Sequence, residues 1–305
     1  MKIVERRKIT YAICAGLYLL AIIIMIINGL AGRGFFVLDV EFSGGLAINV
    51  DIGKDFNNDD LSKIITDVTG QTSPQIQKIQ NTTQAAIKIK SLDTEKRKEL
   101  VKAISDKYSV DESSFEIADI SATVSGEMKK NAVVAVVVSC VLMLVYISLR
   151  FRNTKTGLAT IITLLYDALF AVLCYSVFRI PLNNSFIAVI LTIIGYAVND
   201  NIVIFDRLRE NKKLHPRLEL GELINKSINQ SLRRCIFTAG TTMLTIVILC
   251  IIGVPSMKEF SFPLFLGLLC GLFTSIFLSN ALFYSMSQKK AAKSVKLKKA
   301  EAKRR

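Results

Sequence analysis

The stretch that decides the fold reads SFIAVILTIIGYAVNDNIVIFDRLRE and covers residues 185–210. Its first half carries no charged residue, yet Asp200 follows between two asparagines, Asn199 and Asn201. An α-helix rises about 1.5 Å per residue, so about 20 apolar residues cross the hydrocarbon core of a membrane. The stretch is therefore interpreted as a transmembrane helix that holds a carboxylate.

Five more apolar stretches extend this interpretation to the whole chain. The chain has 305 residues, of which 51% are hydrophobic, and its mean hydropathy of +0.42 is high for a soluble protein. Asp167 and Asp200 interrupt the stretches, and Asp206 ends one of them. The pattern predicts a polytopic α-helical membrane protein. Its six transmembrane helices are expected at 9–32, 131–149, 157–178, 184–206, 235–255 and 260–286.

Lysine and arginine predict the orientation of these helices. The N-terminal segment 1–8, the turn between helices two and three, the loop 207–234 and the tail 287–305 together hold 24 of the 39 basic residues. Since basic residues are enriched in short cytoplasmic loops, both termini are predicted to be cytoplasmic. The tail is expected to be solvated, with binding to anionic lipid or to ribosomal RNA as the alternative. A lysine-rich tail without aromatic residues predicts no specific nucleic-acid binding.

The polar segment 33–130 is predicted to form an extracytoplasmic domain between the first and second helices. Its pattern predicts strands and helices in the order β-α-β-β-α-β, which is the α+β ferredoxin-like arrangement. The six segments are 41–50, 58–68, 74–80, 84–90, 93–108 and 114–120.

A candidate amphipathic helix lies within the loop 207–234. Apolar residues recur there at helical spacing, opposite a polar face. Such a helix either lies on the membrane surface or packs against the base of the helix bundle, and the pattern allows both. The apolar residues are Leu220, Leu223, Ile224, Ile228 and Leu232.

The chain shows no pattern typical of an enzyme or a metal site. His215 is the single histidine and lies beside Pro216, so a Ser-His-Asp triad or a zinc site cannot be assembled around it. The six cysteines lie in or at the ends of apolar stretches and have no CxxC spacing, which favours packing roles. We expect neither catalysis nor a bound cofactor.

Asp200 is the strongest candidate for function. An ionised carboxylate at the middle of a membrane helix costs roughly 2.5–3.5 kcal/mol even on insertion scales, so it must face protein or water or be protonated. Helical spacing places Tyr196 and Asn199 on the face of Asp200.

Two further positions are candidates for moving protons together with Asp200. They are Asp167, in the third helix, and Arg234, with which the fifth helix begins. Thr238 opens a stripe of threonines on that fifth helix, and threonine also bonds membrane helices without any role in transport.

Four motifs resemble the SecD/SecF family of the resistance-nodulation-division superfamily. The segment ILTIIGYAVNDNIVIFDRLREN (190–211) is closely similar to the signature of the fourth helix in the SecF branch. The other three are SINQSLRRCIFTAGTT (227–242), EFSGG (41–45) and TVSGEM (123–128). The third of these resembles the family's outer-domain motif, which here consists of Glu41, Phe42, Gly44 and Gly45, with Glu41 where aspartate is usual.

The resemblance implies a role in bacterial protein secretion. A protein of this kind lies in the cell membrane and works with SecD and with the SecYEG channel. It assists late export of unfolded secretory polypeptides, after the push from SecA, by using the proton-motive force. Asp200 corresponds to the principal proton-linked acid and Arg234 to its arginine. Two alternatives stay open: half of a small-molecule exporter of the same superfamily, and a passive scaffold for the channel.

Overall fold

The computed structural model describes residues 3–32, 34–71, 74–78, 83–151 and 153–288. The predicted basic tail, from residue 289 onward, lies outside the described residues. The chain begins with a long apolar helix, α1 (Arg7–Leu30). Residues 3–6 precede it, and the side chain of Asn225 holds them by accepting hydrogen bonds from the backbone N–H groups of Ile3 and Val4 at 3.0 and 3.2 Å.

A small α+β domain follows α1. A two-residue strand, β1, and a single helical turn, α2, precede its sheet. In chain order its elements are β1 (Val37–Leu38), α2 (Val40–Ser43), β2 (Gly45–Asp51), α3 (Asn58–Thr69), β3 (Gln75–Lys78), β4 (Gln84–Ile89), α4 (Thr94–Tyr108) and β5 (Phe115–Ile120).

The remaining described residues form the rest of the helix bundle. The last helix continues beyond Phe273 through a π-helical turn, Thr274–Leu278, and its apolar helical stretch extends to Gln288. In chain order the elements are α5 (Ala122–Arg150), α6 (Thr154–Val177), β6 (Pro181–Leu182), α7 (Asn184–Leu214), α8 (Leu220–Ile252) and α9 (Pro255–Phe273).

Six helices in the described part of the chain are long and apolar enough to cross a membrane, as the sequence predicts. Helices α6, α7 and α9 form the centre of the bundle, since about half or more of each apolar window is buried. In α1, α5 and α8 the buried share is only 11–17%. These peripheral helices of the bundle expose large apolar side chains such as Leu142 and Leu244, which suits contact with lipid.

The structure corrects the predicted loop 207–234, because most of that segment is helical. Helix α7 continues to Leu214 and α8 begins at Leu220, so only residues 215–219 separate them. Charged residues mark the end of an apolar span, but they do not end a helix. Both α7 and α8 therefore extend beyond their apolar spans. Leu223, Ile224 and Ile228 are buried in the core of the bundle, so the amphipathic segment packs against the bundle base as the first turns of α8.

The second membrane helix also starts earlier than predicted. The side-chain oxygen of Ser121 accepts a hydrogen bond from the N–H of Val124 at 3.3 Å, which caps α5 at Ala122 rather than near 131. The segment TVSGEM therefore forms the first turns of this helix.

The α+β domain, called the outer domain after the position that the sequence predicts for it, is built on one antiparallel four-stranded sheet with the strand order β3-β4-β2-β5. Ile48 of β2 lies opposite Ile87 of β4 and Ile117 of β5, which aligns apolar residues on one face. Helices α3 and α4 cover this face with buried Leu and Ile side chains, including Leu61 and Ile104. The element order β-α-β-β-α-β over Gly45–Ile120 is the order read from the sequence.

One predicted strand is corrected. The segment 41–50 is not a single strand, because Glu41 lies in α2 and β2 starts only at Gly45. Just before α2, β1 pairs in parallel with β6, and the N–H of Asp39 donates to the carbonyl of Leu182 at 3.1 Å. This pairing ties the beginning of the domain to the loop that precedes α7.

Candidate functional site

A small cavity lies between α7, α8 and α9 and contains Asp200. The Asp200 side chain is nearly buried, with 8% of its surface exposed. The cavity has a volume of about 20 Å³, which is enough for about one water molecule. Its polar lining consists of Tyr196, Asn199, Asp200, Thr238 and Thr242.

The structure brings three of the predicted site residues on α7 together at this cavity. Tyr196, Asn199 and Asp200 occupy one face of the helix because they are three and four residues apart. Thr238 reaches the same cavity from α8. The threonines after it hydrogen-bond the backbone of their own helix, as Thr242 does to the carbonyl of Thr238 at 3.3 Å.

The groups that act most directly on Asp200 come from α8. Cys235 lies close to the carboxylate with its thiol available as a donor, and Arg234 acts on the carboxylate at longer range through its positive charge. The attribution of a packing role to the cysteines missed this contact. The position of Cys235 directly after Arg234, three residues before Thr238, was the signal that could have revealed it.

Asp167 occupies a second polar site, behind α9. Its side chain is fully buried, and one oxygen accepts a hydrogen bond from the Thr274 hydroxyl at 2.7 Å. The Cys270 thiol lies 3.8 Å from the same oxygen, and the other oxygen has no partner. A β-carbon at Gly271 would lie 3.8 Å from that oxygen, and Gly271 also lines the Asp200 cavity. A single glycine therefore separates the two acidic sites.

Asn201 belongs with this second group and not with the cavity. Its side-chain nitrogen donates to the Ala197 carbonyl at 2.8 Å and to the Ser275 hydroxyl at 3.2 Å. Its oxygen is buried without a partner, as is the side-chain oxygen of Asn280. Buried polar atoms without partners are rare in proteins and mark places where strain, water or function must be considered.

The sequence analysis missed the polar residues of the last helix. Within TSIFLSN (274–280), four polar side chains are fully buried in an otherwise apolar span: Thr274, Ser275, Ser279 and Asn280. Thr274 also begins the π-helical turn, and such turns occur often at functional sites. Four polar residues within seven positions of a membrane helix were the available signal.

The outer-domain motif lies elsewhere. Phe42 is buried in α2, while Gly44 and Gly45 connect α2 to β2. Glu41 contacts the beginning of α7, where its carboxylate accepts the N–H of Asn184 at 2.8 Å.

Replacing Thr274 tests whether the second site stabilises the bundle. In Thr274→Val, Asp167 keeps only the distant thiol of Cys270, and the unfolding free energy should fall by about 1–3 kcal/mol because a buried acceptor loses its donor. Denaturation of the purified protein by graded detergent measures this. Thr245→Val is the matched control, since the Thr245 hydroxyl bonds only to its own helix, at Thr241. Equal losses in both variants would contradict the role of Thr274.

Comparison with known proteins identifies the family. The family model described as "Protein export membrane protein SecD/SecF, C-terminal" matches residues 100–289, which is more than half of the chain. The chain belongs to the SecD/SecF family. The chain is 32% identical over 245 residues to the protein translocase subunit SecF of Dictyoglomus turgidum, covering 80% of this chain and 83% of that protein. It is 30% identical over 293 residues to SecF of Acidaminococcus fermentans, covering 94% and 97%.

SecD/SecF relatives of a longer kind match as well. The chain is 40% identical over 177 residues to SecDF of Bacillus subtilis, covering 57% of this chain but only 24% of that protein. The crystal structure of Thermus thermophilus SecDF, described as a translocon-associated membrane protein, matches with a TM-score of 0.80 and 28% identity. That match covers 93% of this chain and 38% of the other. Together these relatives support a multi-pass membrane protein of bacterial protein export.

Proposed function

We propose that this chain uses the proton-motive force, together with SecD, to assist late steps of protein export through SecYEG after the action of SecA. Family membership supports the export role. The observation that carries the proton step is the nearly buried carboxylate of Asp200 beside a cavity with room for one water. The chain is no enzyme in this account and needs no cofactor besides the proton.

The proposed cycle depends on the charge of Asp200. When ionised, Asp200 is attracted by the positive charge of Arg234, which favours contact between α7 and the middle of α8. Protonation removes this attraction and lets the helices shift. One proton that crosses 100 mV releases about 2.3 kcal/mol, which biases a two-state equilibrium by about fifty-fold. Asp167 is the second acidic group of the relay, reached past Gly271.

A SecD partner is proposed from a groove on the bundle that holds polar side chains among apolar ones. The groove between α5 and α7 is lined partly by Ser139, Tyr146 and Asn199, and Tyr196 is 39% exposed. Polar groups are costly against lipid tails, whereas a second helix bundle can pair with them. The fusion of SecD to SecF in the SecDF relatives supports the same partner.

The proposal also covers the orientation of the chain in the membrane and the role of the outer domain. The basic segments favour a cytoplasmic position for both termini, and in this proposal the ferredoxin-like domain lies on the other side of the membrane. Its edge strands, β3 and β5, offer unpaired backbone groups to which an unfolded secretory polypeptide can add as a further strand. The basic tail is proposed to lie against anionic lipid.

A reconstituted export assay tests the proposal. Vesicles with SecYEG and SecA receive a secretory substrate, with or without this chain and SecD, in the presence or absence of a proton gradient. We expect the two proteins to speed completion of export only while the gradient exists. An equal benefit after an uncoupler collapses the gradient would point to a passive scaffold and contradict the proton step.

A further inference from the structure

The motif EFSGG (41–45) lies where the outer domain meets the membrane bundle. Asn184 is the first residue of α7, and its N-cap residue, Asn183, makes no side-chain capping hydrogen bond. The carboxylate of Glu41 accepts the Asn184 N–H at 2.8 Å instead. A carboxylate at this end also interacts favourably with the helix dipole. A residue of the outer domain thus caps the helix that carries Asp200.

A buried ion pair connects the same motif to the sheet. One oxygen of Asp39 accepts the N–H of Val40 at 2.6 Å and so caps α2, the turn that holds Glu41. The other oxygen pairs with the ammonium group of Lys88 on β4 at 2.6 Å. The Asp39 side chain is fully buried, and a buried pair with good geometry is costly to break. Sheet, α2 and α7 are therefore linked in series.

A second link runs beside the first. Glu259, near the beginning of α9, accepts a hydrogen bond from the Asn183 side chain at 3.1 Å. Its other oxygen accepts one from Gln77 of the edge strand β3. The sheet is thereby joined to the outer ends of both α7 and α9.

The two glycines of the motif make the connection compact. Gly44 has a φ of 76° and ends α2, a conformation that other residues rarely adopt. Gly45 lies so close to β4 that an added β-carbon would overlap the carbonyl oxygen of Ile89. Phe42, between Glu41 and the glycines, is buried. The motif is consequently a short, firmly packed segment.

We infer that the EFSGG segment is the joint that transmits movement of α7 to the outer domain, with Glu41 as its positioning residue. This inference rests on the proposed function, because Asp200 lies on the same helix, sixteen residues beyond Asn184. A continuous helix carries a displacement at one end to the other, and Glu41 is bonded directly to its first backbone amide.

Amide hydrogen exchange on the full-length protein in lipid nanodiscs tests the contact itself. In Glu41→Ala, the amides at the beginning of α7 should exchange about fivefold faster, as expected for the loss of one helix cap. Glu41→Gln keeps an acceptor oxygen and should restore most of the protection. Glu116→Ala is the control, since Glu116 is an exposed glutamate on β5. Unchanged exchange at α7 in Glu41→Ala would overturn the inference, as would lost protection throughout the sheet.

A second measurement tests whether a change at Asp200 reaches the outer domain through Glu41. Asp200→Asn imitates the protonated acid and should alter exchange in α2 and β2 when Glu41 is present but not in the Glu41→Ala background. Glu41→Ala should also lose the gradient-dependent part of export, and Glu41→Gln should recover it. If Glu41→Ala exports normally while Asp200→Asn fails, the joint is refuted and the proton step stands. If Asp200→Asn exports normally, the proposed function fails, and the exchange data still judge the contact between Glu41 and α7.

Discussion

In Asp200→Asn, the gradient-dependent part of export should fall about tenfold or more, while the protein still folds and inserts. Asparagine has nearly the same size and keeps an oxygen that can accept a hydrogen bond, so the packing around α7 is kept. It cannot gain or lose a proton, so the equilibrium that one proton across 100 mV biases by about 2.3 kcal/mol stays fixed. Measuring export with and without an uncoupler, for wild type and variant, gives the result.

Asp206→Asn is the matched control for this prediction. It makes the same chemical change six residues further along α7, at a half-exposed carboxylate that pairs with Arg150. Half-exposed ion pairs of this kind contribute only about 0–1 kcal/mol. Export should remain close to that of wild type. A loss as large as that in Asp200→Asn would show that helix α7 tolerates no such change, and the special role of Asp200 would be lost.

Gly45→Ala should unfold the outer domain under conditions in which the wild-type domain is stable. Gly45 has a φ of 149°, and an added β-carbon would lie 2.4 Å from the backbone oxygen of Ile89. Backbone strain and overlap together cost about 3 kcal/mol or more. The urea concentration at which trypsin cleaves the domain in lipid-embedded protein should therefore fall by roughly 1–3 M.

Gly53→Ala is the control that separates the effect of atomic overlap from the effect of backbone strain. Gly53 also has a positive φ, 68°, but an added β-carbon would meet no atom within 4 Å. Only the cost of the left-handed conformation remains, about 1 kcal/mol. A midpoint shift in Gly53→Ala as large as that in Gly45→Ala would contradict the explanation by close approach of β2 and β4.

The membrane spans and one face of the site were predictable because they depend on local spacing. Apolar stretches of sufficient length predict spans, and residues three and four apart predict that Asn199 and Asp200 share a face with Tyr196. The length of α7 was not predictable in this way, since charged residues mark the end of the lipid phase and not the end of the helix. The four-residue helix α2 is too short to show a helical period.

The second polar site, around Asp167, could not be predicted from the sequence because it depends on tertiary packing. Serine and threonine in membrane helices commonly bond their own backbone, so the sequence alone does not show which hydroxyl faces a carboxylate. Thr274 meets Asp167 only because α6 and α9 pack closely at Gly271. Cys235 is a similar case, since its contact with Asp200 depends on the angle between α7 and α8.

Infrared difference spectroscopy during export tests the central claim most directly. Vesicles that contain the export components are compared with the gradient on and off while a substrate is in transit. The account predicts a carboxylic-acid band that appears and disappears with the gradient and is missing in Asp200→Asn. A carboxyl group at Asp200 that keeps one protonation state throughout active export would contradict it.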